Sequence, residues 1–186
     1  GKRAVVYFGS SLPAKNFNTV EYCTLFGASW YAGNNCSLWL SENPGIGSGY
    51  FDSSMINGTG NKIRACSLGV AFDGSQAAHG VCSYSQWHME IDSNYVWGVG
   101  DGIFLKVNSS YCKIRWNIVE PCYVSGIETM VHSFYDSIYG NLVFGNKNGP
   151  LYLLGTINTS VPGGGNYYPV VNHSDTADNC WWLNNT

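Results

Sequence analysis

Short runs of alternating apolar and polar residues, broken by Gly- and Asn-rich turns, set the pattern of this chain. The turns recur at about the eight-to-twelve-residue spacing of all-β domains. Ala4 to Phe8 is a β-branched and aromatic run. Lys62 to Leu68 and Trp87 to Ile91 alternate as half-buried strands do, and Ile103 to Val107 is a compact apolar run. Cys112 to Ile118 alternates over its whole length, which predicts a strand with Cys112, Ile114, Trp116 and Ile118 facing the core. Trp39 is assigned to the core with Trp116. Leu142-Val143-Phe144 and Leu151 to Leu154 flank Asn148-Gly149, a pair that tolerates positive φ, and so predict a hairpin. Only Ile127 to Tyr139 has helical spacing, with Ile127, Met130, Val131, Phe134 and Ile138 on one side; a bulged strand fits it equally. No internal repeat and no dividing linker is visible. The pattern predicts one all-β domain over residues 1–186, an antiparallel β-sandwich with at most one short helix.

Composition changes the picture of the surface. Charged residues make up 11% of the 186, against about 25% in ordinary soluble domains. Aromatic residues make up 15%, which excludes a disordered chain. Nine Lys and Arg against twelve Asp and Glu leave no basic run to displace counterions from phosphates, so a nucleic-acid partner is not expected. No stretch reaches the ~18 apolar residues of a membrane span. The chain opens at Gly1 without a signal pattern, which reads as an excised domain or a processed mature chain.

Asparagine outnumbers all acidic residues, 19 to 12. Six asparagines open N-x-S/T sequons: Asn35, Asn57, Asn108, Asn158, Asn172 and Asn184. N-linked sugar would supply the solubility that charge does not. Seven cysteines stand without a C-x-x-C or zinc-finger spacing. A disulfide framework in an oxidising compartment is therefore expected. Sequential pairing of Cys23 with Cys36, Cys66 with Cys82 and Cys112 with Cys122 is the simplest of several schemes, leaving Cys180.

Candidate catalytic sets fall short. Phe8-Gly9-Ser10-Ser11 follows a strand, but no Asp-x-x-His completes a serine hydrolase set. His88-Met89-Glu90 with Pro121-Cys122 opens a zinc-deaminase pattern that Ser125 breaks. The glycine clusters at 45–49 and 98–102 do not complete a dinucleotide fingerprint, and His79 and His132 have no partner at ligand spacing. No catalytic residue, metal or cofactor is expected. Aromatic residues beside short polar ones suit a sugar, whose C–H face stacks on a ring while amides bind its hydroxyls. Trp30, Tyr31 and Asn34, and then Trp87 and His88, have that composition and are the candidate ligand-binding residues.

Ala4-Val5-Val6-Tyr7-Phe8-Gly9-Ser10-Ser11-Leu12-Pro13 followed by Tyr22-Cys23 resembles the start of the extra N-terminal domain of alphacoronavirus spikes. Lys62 to Leu68, Gly140 to Phe144 with Leu151 to Leu154, and Asp101 to Phe104 are similar to strands of coronavirus spike N-terminal domains more broadly. The resemblance covers about a quarter of the chain, in pieces. It implies a galectin-like β-sandwich on a trimeric viral glycoprotein at the virion surface, made through the secretory pathway. The implied partners are a host cell-surface glycan, sialylated or not, or a glycoprotein receptor, with the rest of the spike and neutralising antibodies. A glycan-shielded structural domain without its own ligand is the alternative, and a secreted hydrolase is disfavoured for lack of a nucleophile–base set. The family brings no catalytic residue.

Overall fold

The computed structural model describes residues 4–7, 16–28, 35–40, 58–71, 78–83, 85–105, 109–122, 125–129, 135–144, 151–153 and 181–183. Its strands assemble into three main sheets. Sheet A is β1 (Ala4–Tyr7), β4 (Asn35–Leu40), β8 (Ala78–Ser83), β12 (Asp101–Leu105), β15 (Ser125–Thr129) and β18 (Leu151–Leu153). Sheet B is β2 (Thr19–Glu21), β6 (Lys62–Arg64), β10 (Glu90–Asp92), β13 (Lys113–Arg115), β16 (Ser137–Tyr139) and β19 (Trp181–Leu183). Sheet C is β3 (Thr24–Ala28), β7 (Ser67–Ala71), β11 (Tyr95–Trp97), β14 (Ile118–Val119) and β17 (Leu142–Val143). A two-stranded piece, β5 (Gly58–Thr59) with β9 (Gln86–Trp87), bridges A and B. The chain visits A, B and C in turn, then begins again one layer further on.

Every strand pair among the described residues is parallel. This overturns the expected antiparallel galectin-like sandwich. The hairpin is overturned with it, because β17 lies in sheet C and β18 in sheet A. Ile127 and Ile138, two members of the supposed helical face, sit in strands β15 and β16. Met130, Val131 and Phe134 lie outside the described residues, as do Asn148 and Gly149.

The repeat is plain once the register is known. Val20, Ile63, Ile91, Ile114, Ile138 and Trp182 occupy one position on successive coils of sheet B. Successive coils therefore take 43, 28, 23, 24 and 44 residues. Connections of such unequal length hide the period from the sequence.

Each coil turns an apolar residue from each sheet inward. Ile63, Ile91, Ile114 and Ile138 from B meet Leu68, Val96, Val119 and Val143 from C, and Val81, Ile103 and Ile127 from A. All are buried, at about 1.5–3 kcal/mol for each large side chain removed from water.

Sharp corners join the short strands. One corner, ahead of sheet B, places Phe17, Gly60, His88, Tyr111 and Tyr135 at φ between 53° and 65°. The corner between B and C places Tyr22, Ala65, Ser93, Trp116 and Gly140 at φ between 50° and 64°. That left-handed turn breaks the alternation of Cys112 to Ile118. Cys112 and Ile114 are buried, but Trp116 is 54% exposed and Ile118 43% exposed, not core as expected. Trp39 lies in β4, and its side chain is outside the described set.

Buried amides tie the corner between B and C together. Asn94, Asn117 and Asn141 stack on successive coils. Asn117 Nδ2 donates to Asn141 Oδ1 at 2.9 Å and to the Ile91 carbonyl at 3.0 Å, and Asn94 Nδ2 repeats the pattern toward Asn117 and Ile63. Asn94 Oδ1 accepts from the Cys66 amide at 3.0 Å.

The expected sequential disulfides do not form among the described cysteines. Cys23, Cys66, Cys82, Cys112 and Cys122 are thiols. Cys23 Sγ donates to Glu21 O, Cys112 Sγ to Gln86 O and Cys122 Sγ to Glu120 O. The reason is topological. Cys66 sits at the corner between B and C whereas Cys82 is in sheet A, and Cys112 precedes sheet B whereas Cys122 follows sheet C. Cysteines adjacent in sequence thus occupy different sides of the coil. The side chain of Cys36, and all of Cys180, fall outside the described residues.

Candidate functional site: an exposed aromatic ridge

The corner ahead of sheet B carries an aromatic ridge. His88 stacks on Tyr111 with centroids 5.1 Å apart, and Tyr111 stacks on Tyr135 at 5.0 Å. Trp87 leans against Tyr111 at 5.4 Å. Tyr111 and Tyr135 are 39% and 49% exposed, and His88 is exposed as well. Phe17 continues the ridge on the first coil; it lies over Gly60, its Cδ1 only 2.6 Å from where a Cβ would stand.

Bulky residues in the left-handed conformation are held at a cost of about 1–2 kcal/mol each. Glycine or asparagine would fill this corner with less strain. Ring stacking, worth about 0.5–1.5 kcal/mol per pair, offsets part of that.

Two residues after each ring comes a polar side chain on the outer face of sheet B: Glu90 after His88, Lys113 after Tyr111, Ser137 after Tyr135. Each of these three coils therefore offers one ring and one hydrogen-bonding group. The rest of that face is laced by ion pairs. Arg64 meets Glu21 at 2.5 Å, Arg115 meets Asp92 at 3.0 Å and Glu90 at 3.5 Å, and Lys62 meets Glu90 at 3.6 Å.

Sheet C has a different outer face. Phe26, Tyr95, Ile118, Leu142 and Phe144 are exposed on it. Phe26 stacks on Trp97 at 5.4 Å across Gly69, and Trp97 Nε1 donates to Ser67 Oγ at 3.0 Å. The Tyr95 phenol donates to the Glu120 carboxylate, which holds the proton on the phenol and raises its pKa.

A third cluster lies on sheet A. A Cβ on Gly80 or Gly102 would meet Val96 or Val119 of the core, so sheet C packs directly against the glycines that follow His79 and precede Ile103. His79 Nδ1 lies 3.1 Å from Asp101 Oδ2, and the His79 ring tilts against Phe104 at 5.3 Å. Asp101 Oδ1 accepts from the Ser125 amide at 3.2 Å. The two side chains are only 2% and 7% exposed. His79 thus has the charged partner, Asp101, that sequence spacing did not indicate.

Of the expected ligand residues, the structure brings Trp87 and His88 together on the ridge. Trp30, Tyr31 and Asn34 lie outside the described residues, as do Asn57, Asn108, Asn158, Asn172 and Asn184; Asn35 is in β4, with its side chain outside the described set. Sequence reasoning missed Tyr111, Tyr135 and Phe17. The signal was present: Phe17, His88, Tyr111 and Tyr135 each precede by three residues the inward Val20, Ile91, Ile114 and Ile138. Among the described residues, no group of three His, Cys, Asp or Glu side chains is placed to hold a metal ion.

No curated protein and no solved structure matches the chain. A family model, the right handed beta helix region, matches residues 5–163. It agrees with the stacked parallel sheets and with coils that repeat one corner, one ladder and one core position. The chain belongs to the right-handed β-helix family.

Proposed function

We propose that this β-helix is an attachment module that binds an extended glycan along its aromatic ridge, without acting on it. Domains of this family are often polysaccharide-degrading enzymes or adhesins, and the ridge favours the second role. The carrying observation is the stack of His88, Tyr111 and Tyr135 at 5.0–5.1 Å. That spacing is close to the length of one pyranose unit. A polymer lying parallel to the coil axis would set one sugar against each coil, with its C–H edge on a ring and a hydroxyl at Glu90, Lys113 or Ser137.

Hydrolysis of a glycosidic bond takes two carboxylates flanking it, about 5–10 Å apart. Glu90, the carboxylate two residues beyond His88, is committed to Lys62 and Arg115. The buried His79–Asp101 pair is shut away from a polymer. On the sheet C face the Tyr95 phenol is taken up by Glu120 and Trp97 Nε1 by Ser67, and Ile118, Leu142 and Phe144 give a sugar no hydrogen bond. The galectin-like sandwich implied by the spike resemblance is not the fold, so glycan attachment rests here on the ridge alone.

A glycan array probed with a multimerised form of the chain tests the proposal, since multivalency raises weak single-site affinity into range. Binding to a linear polysaccharide that Tyr111→Ala abolishes is the expected result. Binding to no sugar, or binding indifferent to Tyr111, overturns it.

A further inference from the structure

We propose that Cys23 and Cys66 are a disulfide-forming pair that staples the first described coil to the second. Glu21 pairs in register with Arg64, and Thr24 with Ser67, so Cys23 and Cys66 are stacked neighbours between them. The backbone confirms the stacking on both sides: Tyr22 N donates to Arg64 O at 3.3 Å and Ser67 N to Cys23 O at 2.9 Å. Adjacent parallel strands lie about 4.8 Å apart, inside the roughly 4.4–6.8 Å Cα window of a disulfide. Cys23 Sγ is 3.1 Å from Glu21 O, and Cys66 Sγ, 3.2 Å from Arg64 O on its own coil, also reaches across to Val20 O of β2 at 3.7 Å.

The column itself supplies the argument for a bond there. On later coils this position is Asn94, Asn117 and Asn141, and each amide side chain bonds to an adjacent layer. Cys66 still receives that support from Asn94 on its far side. Toward Cys23, the Cys66 sulfur accepts from the Cys23 backbone amide, and the thiols donate to carbonyls of β2 and to Arg64 O. A disulfide would restore the side-chain link between layers that the asparagines make elsewhere.

The oxidant is a small-molecule disulfide. The Cys23 thiolate, the more accessible of the two, attacks one of its sulfurs and expels one small thiol. The Cys66 thiolate then attacks the Cys23 sulfur of the mixed disulfide and expels the second. Two protein thiols become one disulfide, one small disulfide becomes two thiols, and the two protons pass to the departing thiolates. Burial raises the Cys66 pKa, so the second step is the slow one.

The test is incubation of the native chain in glutathione buffers of graded redox poise, acid quench, alkylation and peptide mapping without reduction. The expected product is a Cys23–Cys66 cross-linked peptide, with loss of two alkylatable thiols and a higher Tm. Cys23→Ser, a change at a half-buried site, removes both the cross-link and the Tm gain. A Cys23–glutathione adduct that never resolves, a cross-link to another cysteine, or no thiol loss under oxidising buffer overturns the proposal. Glycan binding does not enter this measurement.

Discussion

Asn117 Oδ1 accepts from both the backbone amide and the side-chain amide of Asn94, at 2.9 and 3.0 Å. One oxygen thereby joins two coils. The same residue reaches the opposite way to Asn141 and across to Ile91. It is fully buried, so none of these groups has water as a substitute.

Asn117→Ala leaves the Asn94 amide and the Ile91 carbonyl without their partner in the interior. An unsatisfied buried polar group costs about 1–3 kcal/mol, so the expected loss is roughly 3–5 kcal/mol. Urea unfolding should show a lower midpoint with an unchanged slope. Asn117→Asp keeps the acceptor oxygen but loses the Nδ2 donor, and should also destabilise. A loss below ~1 kcal/mol for the alanine variant would mean the ladder does not hold the coils together.

Glycines in this fold are seats for neighbours, and the neighbour decides the cost of filling them. A Cβ on Gly102 would overlap the carbonyl oxygen of Gly126 and press on Val119 Cγ1. The overlap is with backbone one layer away, so Gly102→Ala should cost about 3 kcal/mol or more. A Cβ on Gly69 would meet the Trp97 ring at 2.5 Å, and that ring can swing outward. Gly69→Ala should therefore cost only about 1 kcal/mol. It should also change the near-UV circular dichroism, as the Phe26–Trp97 stack and the bond to Ser67 are lost.

Asp136 gives the fold a pH dependence. Its Oδ1 accepts from the Cys112 amide at 2.8 Å, while Oδ2 is buried without a hydrogen-bond partner. Burial raises its pKa well above the ordinary carboxyl range. Between the unfolded and folded pKa values the native state holds the proton that the unfolded chain releases. Stability is thus fully present below the unfolded pKa and is lost as pH rises through the folded pKa. Asp136→Asn cannot ionise and keeps the acceptor. It should be more stable than the parent at pH 8, with the difference shrinking on acidification, measured as Tm across pH 4–8.

Much of the local pattern was legible in the residues, and the assembly was not. Alternation places Ile63 and Ile91 in strands and a compact apolar run places Ile103 in one, and all three lie in core strands. What alternation cannot show is which strand pairs with which. The inward β-branched positions of a parallel coil look like those of a sandwich over three to five residues. The turns misled as well, because Tyr22, Ser93 and Trp116 take left-handed corners usually marked by glycine or asparagine. Trp116 was therefore read as core, and the column it shares with Gly140 went unseen. The candidate site was half visible. Trp87 and His88 stood out by composition, but Tyr111 and Tyr135 join them only through the stacking of coils.

The ridge and the sheet C face make opposite predictions. Tyr111→Gly relieves a left-handed non-glycine residue, a gain of about 1–2 kcal/mol, and removes three ring contacts, with His88, Tyr135 and Trp87, of about 0.5–1.5 kcal/mol each. The loss exceeds the gain by about 1–2 kcal/mol, so the variant should still fold, with a modestly lower stability than the parent. It should nonetheless lose glycan affinity by about tenfold, the equivalent of ~1.4 kcal/mol, because a sugar then faces an empty corner between His88 and Tyr135. The double variant Ile118→Thr, Leu142→Thr changes only exposed positions of sheet C and should bind as the parent does. Titration calorimetry on the array-positive polysaccharide reads both. If the sheet C variant loses binding and Tyr111→Gly retains it, the ligand lies on the flat apolar face and the ridge is a structural stack.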